Sequence, residues 1–308
     1  MGGEHLGVRT GGLWSDEERT WHINCLELKA ALLTLKAFTL SCHNNAKVTL
    51  YCDNTTAVSC INKKGSTKED CNNITRTIWL WCLERNIKIA AVHIPGKENT
   101  TADKASREKG LETEWSLDNK IIDIINELYG PFQVDLFASR INHKIHKYVS
   151  WKKDAEAWKI NAFTFSWTNI FAYIFPPFNL ILRILHKIEA EDVECVLIVP
   201  VWKSQPWFPK LTSLLVDVPV LLPKKLNILH HPISESISHP ILQHSRIIAC
   251  RLSGKFSSVQ TFRQKLVKSS SNRGDPIQEN NTQCTSRSGL YFVFNSRKIP
   301  FRLLRQLY

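Results

Sequence analysis

The chain has 308 residues, of which 43% are hydrophobic and 22% charged, and its formal net charge is +12 at pH 7. That hydrophobic fraction excludes a fully disordered protein, and the length suffices for one large domain or two of ordinary size. No apolar run approaches the roughly 20 residues of a membrane span, and residues 1–5 lack the features of a secretory signal. We therefore expect a cytoplasmic or nuclear protein that is neither secreted nor inserted in a membrane.

The nine cysteines also favour a reducing compartment. Their number is odd, several lie in apolar runs, and no two have the C-x-x-C spacing of zinc ligands. The sequence thus predicts free thiols and gives little support for a zinc site.

The first 112 residues have the alternation of an α/β domain. Their pattern predicts two strands, a helix over 26–40, a strand over 48–53, a helix over 74–84 and a strand over 88–94. Pro95-Gly96 ends the last strand. Strands separated by helices indicate an α/β sheet.

A second α/β domain is predicted over 131–230. Residues 113–130 form an amphipathic helical connector that ends at Gly130-Pro131. Strands are expected over 134–137, 171–175, 194–200 and 218–222, with a helix over 180–190. The continuous apolar run 194–200 is typical of a strand covered on both faces.

Positive charge is concentrated at the end of the chain. Residues 241–308 contain 12 Lys and Arg against 2 acids, so the first 240 residues carry a net charge of only +2. Ser, Asn and Gln are frequent after Pro232, which predicts a basic and mostly disordered tail over 231–308. Such a tail either binds a polyanion such as nucleic acid or is simply solvated.

Three acids occupy positions where carboxylates converge at one edge of a sheet. Glu27 lies near the start of the first helix, Asp53 ends a strand, and Asp103 follows the Pro95-Gly96 turn. Converging carboxylates are ligands for a pair of Mg²⁺ ions that activate water for phosphoryl displacement. Taken singly, Asp53 and Asp103 also fit capping roles, whereas an acid among apolar neighbours, as at Glu27, is costly unless paired.

Residues 11–15, 22–30, 51–58 and 93–107 resemble the ribonuclease H domain of DIRS-type retrotransposon polyproteins. The resemblance implies two-metal hydrolysis of RNA in RNA–DNA hybrids, with Glu27, Asp53 and Asp103 as the second, third and fourth acids. It also implies a mixed sheet whose first, central strand carries the first acid. This chain begins after that segment, so we expect a ribonuclease H-like sheet without its first strand and an impaired activity.

The second domain carries Phe175-Pro176-Pro177-Phe178 at a predicted strand end. Together with 134–140, 163–167 and 200–208, this turn resembles the methyltransferase-like domain that follows ribonuclease H in DIRS-type elements, itself similar to phage adenine methyltransferases. The resemblance implies an S-adenosylmethionine pocket beside Asp135, and Pro176, Pro177 and Phe178 against a base flipped from DNA. Phe175 departs from the pattern, because active members have Asp or Asn there to accept the adenine amino group.

Several functions stay open at this point. The chain is a fragment of a ribonuclease H and methyltransferase-like polyprotein, a non-catalytic nucleic-acid-binding remnant, or a truncated reading frame without a stable role. An adenine-specific DNA methyltransferase-like protein is a further alternative. The expected partner is an RNA–DNA hybrid or DNA.

Overall fold

The computed structural model describes residues 1–40, 45–100, 102, 114–225, 227–231, 237–268, 281–286 and 289–304. They divide into two compact units, the first formed by Met1–Gly110, Ser139–Ile141 and Ser150–Asn161, and the second by Leu111–Ala138, Asn142–Val149 and Ala162–Tyr308. None of the helices in the described ranges has the length and apolar character needed to span a bilayer.

The elements are numbered in chain order. The helices are α1 (Ile23–Thr39), α2 (Thr55–Lys63), α3 (Glu69–Glu84), α4 (Asn119–Tyr129), α5 (Ile181–Ala190), α6 (Trp207–Ser213), α7 (Ile241–His244) and α8 (Phe256–Lys265). The strands are β1 (Gly2–His5), β2 (Val8–Gly11), β3 (Lys47–Cys52), β4 (Lys88–His93), β5 (Ser116–Leu117), β6 (Val134–Ala138), β7 (Tyr148–Ser150), β8 (Lys159–Ile160), β9 (Ala172–Ile174), β10 (Glu194–Pro200), β11 (Val220–Leu221), β12 (Leu229–His230), β13 (Ile247–Ser253), β14 (Asn281–Ser286), β15 (Gly289–Phe294), β16 (Arg297–Pro300) and β17 (Arg302–Leu303).

The first unit contains helices and two separate strand pairs. β1 and β2 form an antiparallel hairpin, while β3 and β4 are parallel, with Lys47 opposite Lys88 and Cys52 opposite His93. Among the described residues, β3 has no second neighbouring strand. The α/β prediction is confirmed; the described strands of this unit form two separate pairs, and a ribonuclease H-like mixed sheet stays a prediction.

Helix α1 positions both strand pairs of this unit. Its buried residues Leu28, Leu32 and Leu35 recur at helical spacing and pack with buried side chains of α2, α3 and β4. The hairpin also lies close to α1, because a Cβ atom at Gly3 would collide with the side chain of Thr34. This packing fixes α1 beside the end of β3, where the candidate acids lie.

The second unit is built on a mixed sheet. Its strands lie side by side in the order β17-β11-β13-β10-β9-β6-β7. β6, β9 and β10 are parallel, whereas β13 is antiparallel to β10 from Glu194 opposite Ser253 to Pro200 opposite Ile247. β10 has the predicted bounds, and its side chains alternate between two buried clusters on opposite faces of the sheet.

The structure corrects the predicted disorder of 231–308. β13 lies in the middle of the sheet with six of its seven residues buried, and α8 follows it. The prediction failed because the polar composition of the whole segment concealed the short apolar run 247–250. Parts of the predicted tail, including 269–280 and 305–308, lie outside the described residues.

The predicted connector over 113–130 also differs from the structure. Ile121, Ile122 and Ile125 of α4 are buried in the cluster that covers one face of the sheet. The second unit therefore includes α4 and β13 and exceeds the 131–230 range expected from the sequence. The amphipathic pattern was recognised, but the sequence alone did not indicate which sheet its apolar face covers.

Candidate functional sites

Two of the three predicted metal ligands lie together in the first unit. Glu27 of α1, Asp53 after β3 and the Cys52 thiol each offer one ligand atom, and these atoms lie within 4.8 Å of one another. Glu27 is half-buried and Asp53 is exposed. Burial raises the pKa of Glu27 above its usual value, and the negative charge of Asp53 adds to this effect.

The turn after β4 approaches the same acids. A Cβ atom at Gly96 would lie at an ordinary contact distance of 3.5 Å from Asp53 Oδ2, so this turn passes beside the carboxylate. Asp103, the third predicted ligand, lies outside the described residues. The structure therefore places Glu27 and Asp53 near each other and leaves the role of Asp103 as a prediction.

Asp53 is not the cap of the helix that follows it. Asn54 caps α2, because its side chain accepts a hydrogen bond from the Ala57 N–H at 2.8 Å. Asn54 also donates to Asn24 Oδ1 at 3.1 Å, which ties α2 to α1 beside the acids. Asp53 is therefore not the N-cap of α2, and its exposed carboxylate lies beside Glu27.

Asp135 on β6 is buried in the second unit and only 2% exposed. Its carboxylate accepts hydrogen bonds from the backbone N–H groups of Phe137, at 3.3 Å, and Lys144, at 3.0 Å. Burial raises the pKa of Asp135 to about 7, although these two hydrogen bonds act in the opposite direction. Asp135 therefore holds the loop after β6 from inside the unit.

The Pro-Pro turn forms one wall of a cavity of about 270 Å³. The cavity lies after the carboxyl end of β9, and ligands of α/β sheets bind at such ends. Its lining is mostly aromatic or proline: Trp115, Phe175, Pro176, Pro177, Phe178, Asn179 and His239. Of the predicted cofactor-binding residues, Pro176, Pro177 and Phe178 line this cavity and Asp135 does not.

Aromatic rings of the lining contact one another. The Phe178 ring lies 5.3 Å from Trp202 and 6.0 Å from His239, measured between centroids. The His239 ring meets Trp115 at 4.6 Å with an interplanar angle of 63°. These contacts fix the walls of the cavity at spacings that are favourable for aromatic pairs.

His239 is also held by the backbone. Its Nδ1 accepts a hydrogen bond from the Ile241 N–H at 3.1 Å, and burial lowers the pKa of the imidazole below its usual value. The ring is therefore neutral at pH 7 and fixed in orientation.

Residues 104–221 match the family model described as DNA N-6-adenine-methyltransferase (Dam). The segment is similar to that family. No curated protein matches the chain.

The matched segment contains Asp135 and the whole 175–178 turn, so it supports the methyltransferase part of the sequence interpretation. It is less than half of the chain, and the comparisons do not support the retrotransposon or ribonuclease H part. Phe175, half-buried at the cavity, supplies no hydrogen-bond acceptor where the resemblance expects Asp or Asn.

Sequence reasoning missed three residues of the cavity. Trp115 was assigned to the connector and His239 to the disordered tail, while Asn179 was not considered. The available signal for His239 was its position, since His-Pro directly precedes the apolar pair Ile241-Leu242. A short apolar pair does not indicate by itself which distant turn it will pack against.

Proposed function

We propose that the second unit is a DNA-binding domain of the adenine-methyltransferase type, which holds an unstacked adenine in the cavity at Pro176-Pro177-Phe178. The observation that carries this proposal is the aromatic cavity at the strand end inside the matched segment. Bases taken out of a duplex are bound by stacking on aromatic side chains in such pockets.

The size of the cavity favours a single base. Pockets that enclose drug-sized ligands have volumes of about 300–1,000 Å³. A cavity of about 270 Å³ falls just below this range, which suits a planar base better than a complete nucleoside cofactor. The rigid Pro-Pro turn keeps the wall in place before the base arrives, because proline fixes its own backbone angle φ.

Methyl transfer is not part of the proposal. The transfer needs an acceptor for the adenine amino group, and the Phe175 side chain has none. The proposed domain therefore recognises and holds the base without modifying it efficiently.

S-adenosylmethionine is the methyl donor that the family resemblance implies. Among the described residues, the four that the resemblance implies do not form one cofactor site, since Asp135 is enclosed with its carboxylate on two backbone N–H groups and does not line the cavity of Pro176, Pro177 and Phe178. We therefore assign no step to this cofactor. Weak or absent heat in calorimetry with millimolar S-adenosylmethionine is the expected result.

The test measures binding of the full chain to a fluorescent duplex that carries one adenine opposite an abasic site. Such an adenine costs little to unstack, so it reports on the cavity. Phe178→Ala should weaken binding about tenfold, because stacking on an aromatic ring is lost. Phe256→Ala removes a ring that is 73% exposed on α8 and should have no effect. Equal affinities of wild type and Phe178→Ala would sink the proposal.

The first unit supports a second candidate function, metal-dependent cleavage of RNA in an RNA–DNA hybrid. The supporting observation is the closeness of Glu27 and Asp53. Their carboxylates suit Mg²⁺, and they would be the residues that hold it, whereas the Cys52 thiol suits softer metals. Magnesium polarises phosphate oxygens and activates water when it is bound at such a site.

This second function is tested by hybrid cleavage in the presence of Mg²⁺. We expect slow cleavage by the wild type and at least a further tenfold loss in Glu27→Gln, which keeps the side-chain shape but removes the charge. Glu69→Gln alters an exposed acid in the first turn of α3 and should cleave like the wild type. Cleavage at the same rate by Glu27→Gln would exclude this site.

A further inference from the structure

His239 is a cavity residue from outside the matched segment. It comes from the stretch between β12 and α7, whereas the family match ends at residue 221. The neutral ring has one nitrogen that donates and one that accepts. Because Nδ1 accepts the Ile241 N–H, the ring proton lies on Nε2, which has no hydrogen-bond partner among the described residues.

We propose that His239 determines which ligand the cavity accepts, by donating its Nε2–H to a ring nitrogen of an uncharged purine base. The proposal rests on the base-binding function above and names the group that reads the base. The ligand class is therefore a planar, uncharged nucleobase with an acceptor nitrogen on the edge that faces His239.

The geometry of the ring supports this role. His239 is held edge-on by Trp115, at 4.6 Å and 63°, and near Phe178, at 6.0 Å and 57°. With Nδ1 bonded to the backbone, the ring cannot rotate without losing that hydrogen bond. A donor fixed in this way discriminates well, because a bound base that covers the Nε2–H but lacks the acceptor leaves this N–H group unpaired.

The same geometry disfavours a cationic ligand, which is the usual alternative for an aromatic cage. None of the described residues that line the cavity carries a carboxylate. The neutral His239 presents an N–H dipole with its positive end outward, which repels a cation. The lining therefore selects an acceptor-bearing ring rather than a methylated ammonium group.

The experiment measures the affinities of wild-type and variant proteins for duplexes that differ in one target base. Duplexes with one target base opposite an abasic site carry adenine, 1-deazaadenine, 3-deazaadenine or 7-deazaadenine, each analogue lacking one ring nitrogen. The full wild-type chain should bind one of the three analogues roughly tenfold more weakly than adenine. His239→Phe, which keeps an aromatic ring but has no donor, should bind adenine as weakly as that analogue and should not discriminate between them.

A matched control is His244→Phe, because His244 lies exposed on α7 and does not line the cavity. This variant should discriminate like the wild type. His239→Asn separates the backbone bond of His239 from its proposed bond to the base. Asn retains an acceptor that can reach the Ile241 N–H, but its side chain is too short to donate into the cavity. We expect His239→Asn to lose discrimination like His239→Phe.

Each contrary result has a defined meaning. If the wild type binds adenine tightly but binds all three analogues equally well, the role of His239 is wrong and the base-binding function stands. Discrimination retained by His239→Phe or by His239→Asn also overturns the role of His239. If the affinity of the wild type does not depend on a target base at all, both the base-binding function and this inference fail.

Discussion

Under the proposed base-binding function, Phe175 lies where an acceptor for the adenine amino group is expected. Its side chain offers no acceptor, so the wild type should bind duplexes with adenine and with purine, which lacks the amino group, about equally well. Phe175→Asn adds an amide oxygen at this position and should favour adenine by roughly tenfold. Fluorescence anisotropy with the two duplexes measures the ratio. A wild type that already prefers adenine tenfold would show that another group accepts the amino hydrogen.

The carboxyl group of Asp135 predicts a pH-dependent stability. Its pKa is about 7 in the folded chain and about 3.8 for an unperturbed Asp. At pH values between these two, the folded state therefore binds more protons at this group than the unfolded state does. Stability from this group is therefore present at low pH and is lost as pH rises through about 7. Lys144, whose charge lowers the pKa of Asp135, and Tyr173 opposite it on β9 are the titratable groups that face it.

Urea unfolding of the full chain at pH 6 and pH 8 tests this dependence. The second unit should lose on the order of 1 kcal/mol between these two values, within a ceiling of about 1.4 kcal/mol per pH unit. Asp135→Asn does not titrate and should lack this component, so its change between the two pH values should be smaller. An identical pH dependence for the two proteins would mean that Asp135 is ionised in the fold throughout.

The acids of the first unit were easier to predict than the cavity. Glu27 and Asp53 stand out because a charge near an apolar helix and an acid at a strand end are unusual, and local pattern alone places both near one sheet edge. His239 and Trp115 lie 124 residues apart in sequence and look ordinary in their local contexts. Only the tertiary packing of α7 and β5 around the Pro-Pro turn brings them together.

Among the elements, β13 shows the clearest difference from the prediction, because it is a strand of the sheet in a segment that was predicted to be disordered. Ile248 is fully buried and packs in one of the two clusters of the sheet. Ile248→Ala should lower the free energy of unfolding by about 2–5 kcal/mol, as deletion of buried methylene groups does. Urea unfolding followed by tryptophan fluorescence measures this loss.

The control for β13 is Val267→Ala, since Val267 is 70% exposed shortly after α8. Its effect should stay within about 0.5 kcal/mol. In a disordered tail both substitutions would be neutral, so equal unfolding midpoints would contradict the position of β13 in the sheet.

Strong local sequence patterns were sufficient to predict individual helices and strands. The apolar run of β10 predicted a strand buried on both faces with the observed bounds, because a short run rich in Val and Ile between polar ends is typical of such strands. The assignment of elements to units was not predictable in the same way. The apolar faces of α4 and β13 indicate burial, but their partners are distant in sequence.

At the scale of the whole molecule, the net charge of +12 is a poor measure of how many cations can bind nucleic acid. Several basic residues of the last 68 are used inside the second unit. Arg251 pairs with Glu194, Arg263 donates to the Ser213 carbonyl at 2.9 Å, and Arg297 donates to the Leu266 carbonyl at 2.8 Å. These cations have partners within the unit, so the net charge overstates how many basic side chains are available to phosphates.

The salt dependence of DNA binding should show which of these Arg side chains contact phosphates. Each phosphate contact adds about −0.9 to the slope of log affinity against log salt concentration. Arg263→Gln should leave the slope unchanged while lowering the unfolding midpoint, because this side chain bonds a carbonyl in the fold. A slope that becomes shallower by about one in Arg263→Gln would show that the residue contacts DNA instead.

The most direct test of the base-binding cavity uses 2-aminopurine as the target base in a duplex, since its fluorescence rises when the base leaves the stack. The full chain should raise the emission several-fold at saturating protein. Phe178→Ala and Trp115→Ala should reduce this rise, and the Phe256→Ala control should retain it. Saturable binding of the wild type with no change in emission would contradict the central claim that this cavity holds an unstacked base.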